Sequence, residues 1–179
     1  MSKRVRRTKP GVLTVGHSAR TLEDFLNLLR AHEVKEVIDV RKMPGSTAHP
    51  HFNEEALSAA LEKAGIGYVH VPQLGGLRKP RADSPNGGWR NRSFQGYADY
   101  MQTDDFAAGL QIVIAAARQR RIALMCAEAV PWRCHRSLIA DALVARGIPV
   151  EHIMSLTRRQ PHTLRPFAHV HGDQVIYPP

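Results

Sequence analysis

The stretch 122-IALMCAEAVPWRCHR-136 decides the fold. Ile122, Ala123, Leu124 and Met125 form a short apolar run after the basic patch at residues 118–121, which predicts a buried strand. Pro131 suits the first turn of a helix, where an N–H would have no partner. From Leu138 the apolar positions Leu138, Ile139, Ala142 and Leu143 recur at helical spacing, and Gly147 with Pro149 ends the helix. This reading puts Cys126 and Glu128 just past a strand, and Cys134, His135 and Arg136 on the first turn of the next helix. In an open α/β sheet, ligands bind at such positions.

The same alternation extends outward. Residues 12–15 read as a strand leading into Gly16-His17-Ser18, and Thr21 with Asp24 starts a helix striped by Leu22, Phe25, Leu26 and Leu29. Residues 36–40 are a second strand, with Asp39 and Arg41 at or just past its end. Asn53 caps a helix carrying Leu57, Ala60, Leu61 and Ala64, and residues 68–71 are a third strand. Thr103 and Asp104 cap a helix with Phe106, Leu110, Val113 and Ile114 facing the core. Residues 150–153 are a fifth strand, and residues 167–170 and 174–177 form a hairpin-like extension around His171-Gly172-Asp173. The expected fold is a single α/β domain from residue 12 to 179, a three-layer sandwich of a mostly parallel sheet flanked by helices.

Charge narrows the partner. A formal charge of +9, from 25 Lys and Arg against 16 Asp and Glu, favours an anionic small molecule or nucleic acid. Residues 1–11 read as a basic arm, and residues 72–96 as a long basic loop holding Arg78, Lys79, Arg81, Arg90 and Arg92. Trp89 and Phe94 in that loop either stack a base or pin the loop to the body. No apolar run approaches the roughly 18 residues of a membrane span. No apolar segment follows the basic N-terminus, so no signal peptide is expected. Two cysteines are too few for a disulfide scaffold, and the cytoplasm is the expected compartment.

Parallel strands end on the same side, so four motifs distant in sequence can converge. They are Gly16-His17-Ser18, Asp39-Val40-Arg41 with Pro44 and Ser46, Leu74-Gly75-Gly76, and Cys126-Ala127-Glu128 with Cys134-His135-Arg136. In this order they resemble the domain of unknown function 488 family, and the closing Gln174-Val175-Ile176-Tyr177-Pro178 is similar to that family's C-terminal end. The resemblance covers nearly the whole chain from Val12. It implies an α/β sandwich with a polar pocket built from the motif residues, and it supplies no reaction.

The chemistry expected from the residue types is that of a hydrolase or transferase acting on a phosphate-bearing nucleotide or nucleic-acid-related substrate. Glu128 serves as general acid or base with Asp39 or His17 as partner, and Cys126 or Cys134 is available for covalent catalysis. Ser18, Arg41, Ser46, Gly75, Gly76, Cys134, His135 and Arg136 would hold the substrate, with Arg41 and Arg136 as a bidentate clamp at the N-terminus of the helix. Two other readings stand beside it. One is a metal site using Cys126, Glu128, Cys134 and His135; the other is a non-catalytic nucleic-acid-binding module using the arm and residues 78–92. The residue types name no cofactor. The two cysteines either form a reversible disulfide or remain small buried thiols.

Overall fold

The computed structural model describes residues 11–45 and 47–179. Ser46 and, apart from Gly11, the basic arm lie outside the described residues. The chain runs β1 (Val12–Gly16), α1 (Leu22–Ala31), β2 (Glu36–Asp39), α2 (Glu54–Lys63), β3 (Gly67–His70), α3 (Arg92–Tyr100) and α4 (Asp104–Gln119). It continues through β4 (Ile122–Cys126), α5 (Arg136–Ala145), β5 (Val150–Ile153), β6 (Arg159–Pro161), β7 (His169–His171) and β8 (Gln174–Ile176). The first six strands in spatial order are β3-β2-β4-β1-β5-β6, and β7 with β8 forms a separate hairpin. All pairings in the large sheet are parallel except β5 with β6.

Side-chain alternation along β4 explains the two helical layers. Ile122, Leu124 and Cys126 enter a core with Phe106 and Leu110 of α4 and Leu138 and Ile139 of α5. Ala123 and Met125 enter the opposite core with Phe25 and Leu29 of α1 and Leu57 and Leu61 of α2. A strand buried on both faces must be apolar throughout, as the IALMC run is. The helix starts follow from their caps: Thr21 accepts from the Asp24 N–H at 3.1 Å and Thr103 from the Phe106 N–H at 3.3 Å. Among the described residues, no helix is long and apolar enough to cross a membrane.

Two elements depart from the sequence reading. The long loop is shorter than residues 72–96, because Pro72–Leu74 makes a 3₁₀ turn and α3 begins at Arg92. Asn91 caps α3 by accepting from the N–H groups of Ser93 and Phe94 at 2.9 and 3.1 Å. Gly96 in mid-helix hides the pattern, and it is there for contact: a Cβ on it would lie 2.2 Å from the Arg78 carbonyl oxygen. Trp89 pins the remaining strap, its ring packing against Phe94, Phe167 and Tyr177 at centroid distances of 5.1, 4.9 and 5.2 Å. The other departure is β6, whose Arg-Gln-Pro carries no apolar alternation and pairs on the edge of β5.

A buried polar chain ties the C-terminal segment to the sheet. Tyr177 donates to Asp141 at 2.6 Å, and Asp141 faces His162 Nε2 at 2.6 Å. His162 Nδ1 meets His152 Nε2 at 2.9 Å, and His152 Nδ1 meets the Thr14 hydroxyl at 2.6 Å.

Candidate functional site

β1 and β4 are neighbours whose following helices pack on opposite faces of the sheet. The crevice at their carboxyl ends is the switch point where α/β sheets take ligands. A cavity of about 510 Å³ opens there. Seven of the expected residues line it: His17, Arg41, Gly76, Cys126, Glu128, Cys134 and His135.

The exits of the two strands are laced together. The His17 and Ser18 N–H groups donate to the carbonyls of Cys126 and Ala127, each at 2.9 Å. Residues 127–130 pass directly over Gly16, where a Cβ would stand 1.9 Å from the Glu128 carbonyl oxygen. His17 stacks on Phe52 at a 4.2 Å centroid distance and bonds the Ser18 carbonyl through Nδ1 at 2.8 Å. Burial pulls its pKa down to about 4, so the ring is neutral and turns Nε2 toward Arg41 Nη1 at 3.4 Å. Ser18 itself sits in the left-handed region at φ 51° and off the cavity wall.

Asp39 does not reach the cavity. It is 0% exposed and takes the Arg41 backbone N–H at 3.0 Å, Arg41 Nε at 2.9 Å, Arg41 Nη2 at 2.7 Å and the Tyr68 hydroxyl at 2.6 Å. With both oxygens occupied, it positions Arg41 and is not placed to move a substrate proton. Gly75 is likewise behind the wall; a Cβ there would meet Lys42 Cα at 2.6 Å, so the Leu74-Gly75-Gly76 turn lies flush on the end of β2.

Only Arg136 of the Cys134-His135-Arg136 trio is within α5. Pro131 opens its own 3₁₀ turn, Pro131–Arg133, after which the chain extends at Cys134 (φ −126°, ψ 146°). That extension brings the Cys134 thiol to 2.6 Å from Cys126 Sγ. Arg136, expected to clamp substrate, is 1% exposed and absent from the cavity wall. Its guanidinium donates to Thr14 Oγ1 at 3.2 Å, Cys126 Sγ at 2.8 Å, the Ala129 carbonyl at 3.1 Å and the Glu128 carbonyl. It makes no ion pair with Asp or Glu among the described residues. Burial pushes the Cys134 thiol up, but the hydrogen bond from Cys126 and the adjacent Arg136 outweigh it and bring the thiol to about 7. Cys126 is driven well above its ordinary value by burial and by the same hydrogen bond.

The four residues of the metal reading do not assemble as a ligand set. Glu128 is exposed and accepts the Val130 N–H at 3.0 Å, while His135 directs Nε2 to the Val40 carbonyl at 2.8 Å. Among the described residues, no group of three or more His, Cys, Asp or Glu is placed to hold a metal ion.

The wall also holds Phe94, one of the two rings expected to stack a base or pin the loop, and residues that the sequence reading missed, chiefly Lys42, His49, Leu77, Tyr97 and Arg133. Lys42 and Arg133 were legible as neighbours of Arg41 and Cys134. Tyr97 was not, because it comes from the helix read as loop. Leu77, 76% exposed at φ 60°, is a non-glycine residue in the left-handed region at the rim.

Two buried histidines predict a pH response. Burial lowers His17 to about 4 and His152 to about 3, against 6.5 in the unfolded chain. Below 6.5 the unfolded chain binds protons that the fold refuses, so stability is full above that value and falls as pH drops to about 4. The expected slope is about 1.4 kcal/mol per pH unit for each histidine. Urea midpoints between pH 7 and 4 check it, and His17→Phe should remove its share of the slope and leave that of His152.

No curated protein and no solved structure matches the chain. A family model does match, over residues 21–143, a span holding the Asp39-Arg41, Leu74-Gly76 and Cys126-Arg136 motifs but neither the β1 exit nor the closing strand. By that match the chain belongs to the family defined by the domain of unknown function DUF488.

Proposed function

We propose that the protein is an enzyme, a hydrolase or transferase, acting on a phosphate-bearing, nucleotide-like anion held in the cavity between β1 and β4. One observation carries the reading. Lys42 and Arg133, neither with an ion pair among the described residues, face the same cavity as the aromatic rings of Phe94 and Tyr97. Cations and aromatic rings on the wall of one cavity suit a ligand with a charged end and a planar end. About 510 Å³ lies within the usual range for a small-molecule pocket. Among the described residues, Glu128 is the one carboxylate on that wall, and it takes the acid–base role. The anion-holding role expected of Arg136 passes to Lys42 and Arg133, while Asp39 holds Arg41 on the same wall. Two free cysteines suit a reducing compartment such as the cytoplasm.

Titration calorimetry with AMP, adenosine and inorganic phosphate tests this. AMP should bind and adenosine bind far more weakly. Lys42→Ala and Arg133→Ala should each weaken AMP about tenfold or more, as expected for the loss of a hydrogen bond to a charged group. Glu128→Gln should retain binding. Equal affinity for AMP and adenosine, or no effect of either cation, would remove the anion site. A response to oligonucleotides alone, abolished by salt, would favour the nucleic-acid-binding reading.

A further inference from the structure

We propose that Cys126 and Cys134 are a two-electron redox centre that reduces a small hydroperoxide entering the cavity and cycles between a thiol–thiolate pair and a disulfide. Two independent observations carry this. The first is placement: both cysteines line the cavity with their sulfurs 2.6 Å apart, although the residues are only 3% and 5% exposed. An oxidant must therefore be small.

The second is the charge on Arg136. A guanidinium this deeply buried demands a counter-charge, since an unpaired buried ion is strongly destabilising. Thr14 and the carbonyls of Glu128 and Ala129 are neutral. The buried carboxylate of Asp141 stands beyond Thr14, His152 and His162 in the polar chain and is already held by Tyr177 and His162. Among the described residues, the sulfur pair is the one partner of Arg136 able to carry a negative charge. The Arg136 backbone N–H at the start of α5 adds a contact to Cys134 Sγ at 3.5 Å, where a helix N-terminus favours thiolate. The guanidinium sits on Cys126 Sγ at 2.8 Å, so the charge belongs to the pair. The backbone N–H on Cys134 and the burial that pushes the Cys126 thiol up leave the proton on Cys126 and make Cys134 the nucleophile.

The cycle balances. The Cys134 thiolate attacks one oxygen of hydrogen peroxide, forming a sulfur–oxygen bond as the oxygen–oxygen bond breaks. The departing hydroxide takes the Cys126 proton and leaves as water. The Cys126 thiolate then attacks the Cys134 sulfenic sulfur, expelling a second hydroxide that takes a proton from solvent. The pair is oxidised by two electrons and the peroxide is reduced to two waters. A dithiol reductant exchanges through a mixed disulfide, restores both sulfurs and is itself oxidised to a disulfide.

The test treats the reduced full-length protein with equimolar hydrogen peroxide and maps its peptides by mass spectrometry. The expected product is an intramolecular Cys126–Cys134 disulfide, reversed by dithiothreitol. Cys126→Ser should halt at a Cys134 sulfenic acid that dimedone traps, and Cys134→Ser should consume no peroxide. Should either variant fail to fold, iodoacetamide alkylation of the wild type against pH decides. Cys134 should react with a midpoint near 7, giving about 15 times the thiolate at pH 7 of a cysteine with pKa 8.5. The cycle is read by thiol chemistry in the absence of any nucleotide, so its failure and the failure of the anion site are separate results. Thiols that survive peroxide, that pair only between molecules, or that titrate only above pH 8.5 would overturn it.

Discussion

Asp39→Ala is expected to lower the unfolding free energy by about 3–5 kcal/mol, the cost of stranding a buried cation. The substitution removes the acceptor for three Arg41 donors and the Tyr68 hydroxyl at once. Arg41 is 8% exposed, so water replaces little of what is lost. In urea the midpoint should fall with an unchanged slope, since the surface exposed on unfolding stays the same. A double change, Asp39→Leu with Arg41→Met, should recover much of the loss, because an apolar pair of similar volume often matches a buried ion pair in stability. Ligand binding should not recover with it, as the guanidinium on the cavity wall is gone. A loss below 1 kcal/mol for Asp39→Ala would mean that the pair contributes little to the fold.

Gly16→Ala should cost about as much for a steric reason. The added methyl would sit 1.9 Å from the Glu128 carbonyl oxygen, 2.6 Å from its carbon and 2.8 Å from Ala129 Cα, all of them backbone atoms. No side chain can swing aside. The 127–130 segment has to lift, and the bonds from His17 and Ser18 to Cys126 and Ala127 go with it. Overpacking of about 1–3 kcal/mol plus two lost hydrogen bonds at about 1 kcal/mol each gives about 3–5 kcal/mol. Gly45→Ala, where a Cβ meets nothing within 4 Å, is the control and should stay within about 0.5 kcal/mol. A Gly16→Ala protein as stable as the Gly45→Ala one would show that the two strand exits are not in contact.

The layers were legible because burial writes itself into sequence. IALMC has no polar residue since both of its faces are covered, and the helix starts at Thr21 and Thr103 announce themselves by their caps. Strand ends were legible too, and with them the convergence of His17, Arg41, Cys126 and Glu128 on one cavity. Depth was not. Asp39 and Arg136 carry the same letters whether they face a substrate or the interior; what separates them is which hydroxyls lie within hydrogen-bond reach, and those come from Tyr68 and Thr14, remote in sequence. Tyr97 escaped notice because a helix with glycine at its middle reads as loop until Arg78 is seen crossing it. The edge strand β6 left no trace, since an exposed edge imposes no apolar alternation.

The strand order has a consequence for what can be inherited as a unit. The segment that the family model matches, residues 21–143, leaves out β1, yet β1 stands between β4 and β5 and hydrogen-bonds to both. It also leaves out Tyr177, whose hydroxyl reaches back to Asp141 inside the segment. Excised at those limits, the piece would expose an unpaired ladder along β4 and open the core beside α5 to water. The shared region is therefore a signature borne by a larger cooperative body, and recombination could not transplant it without the first strand and the last.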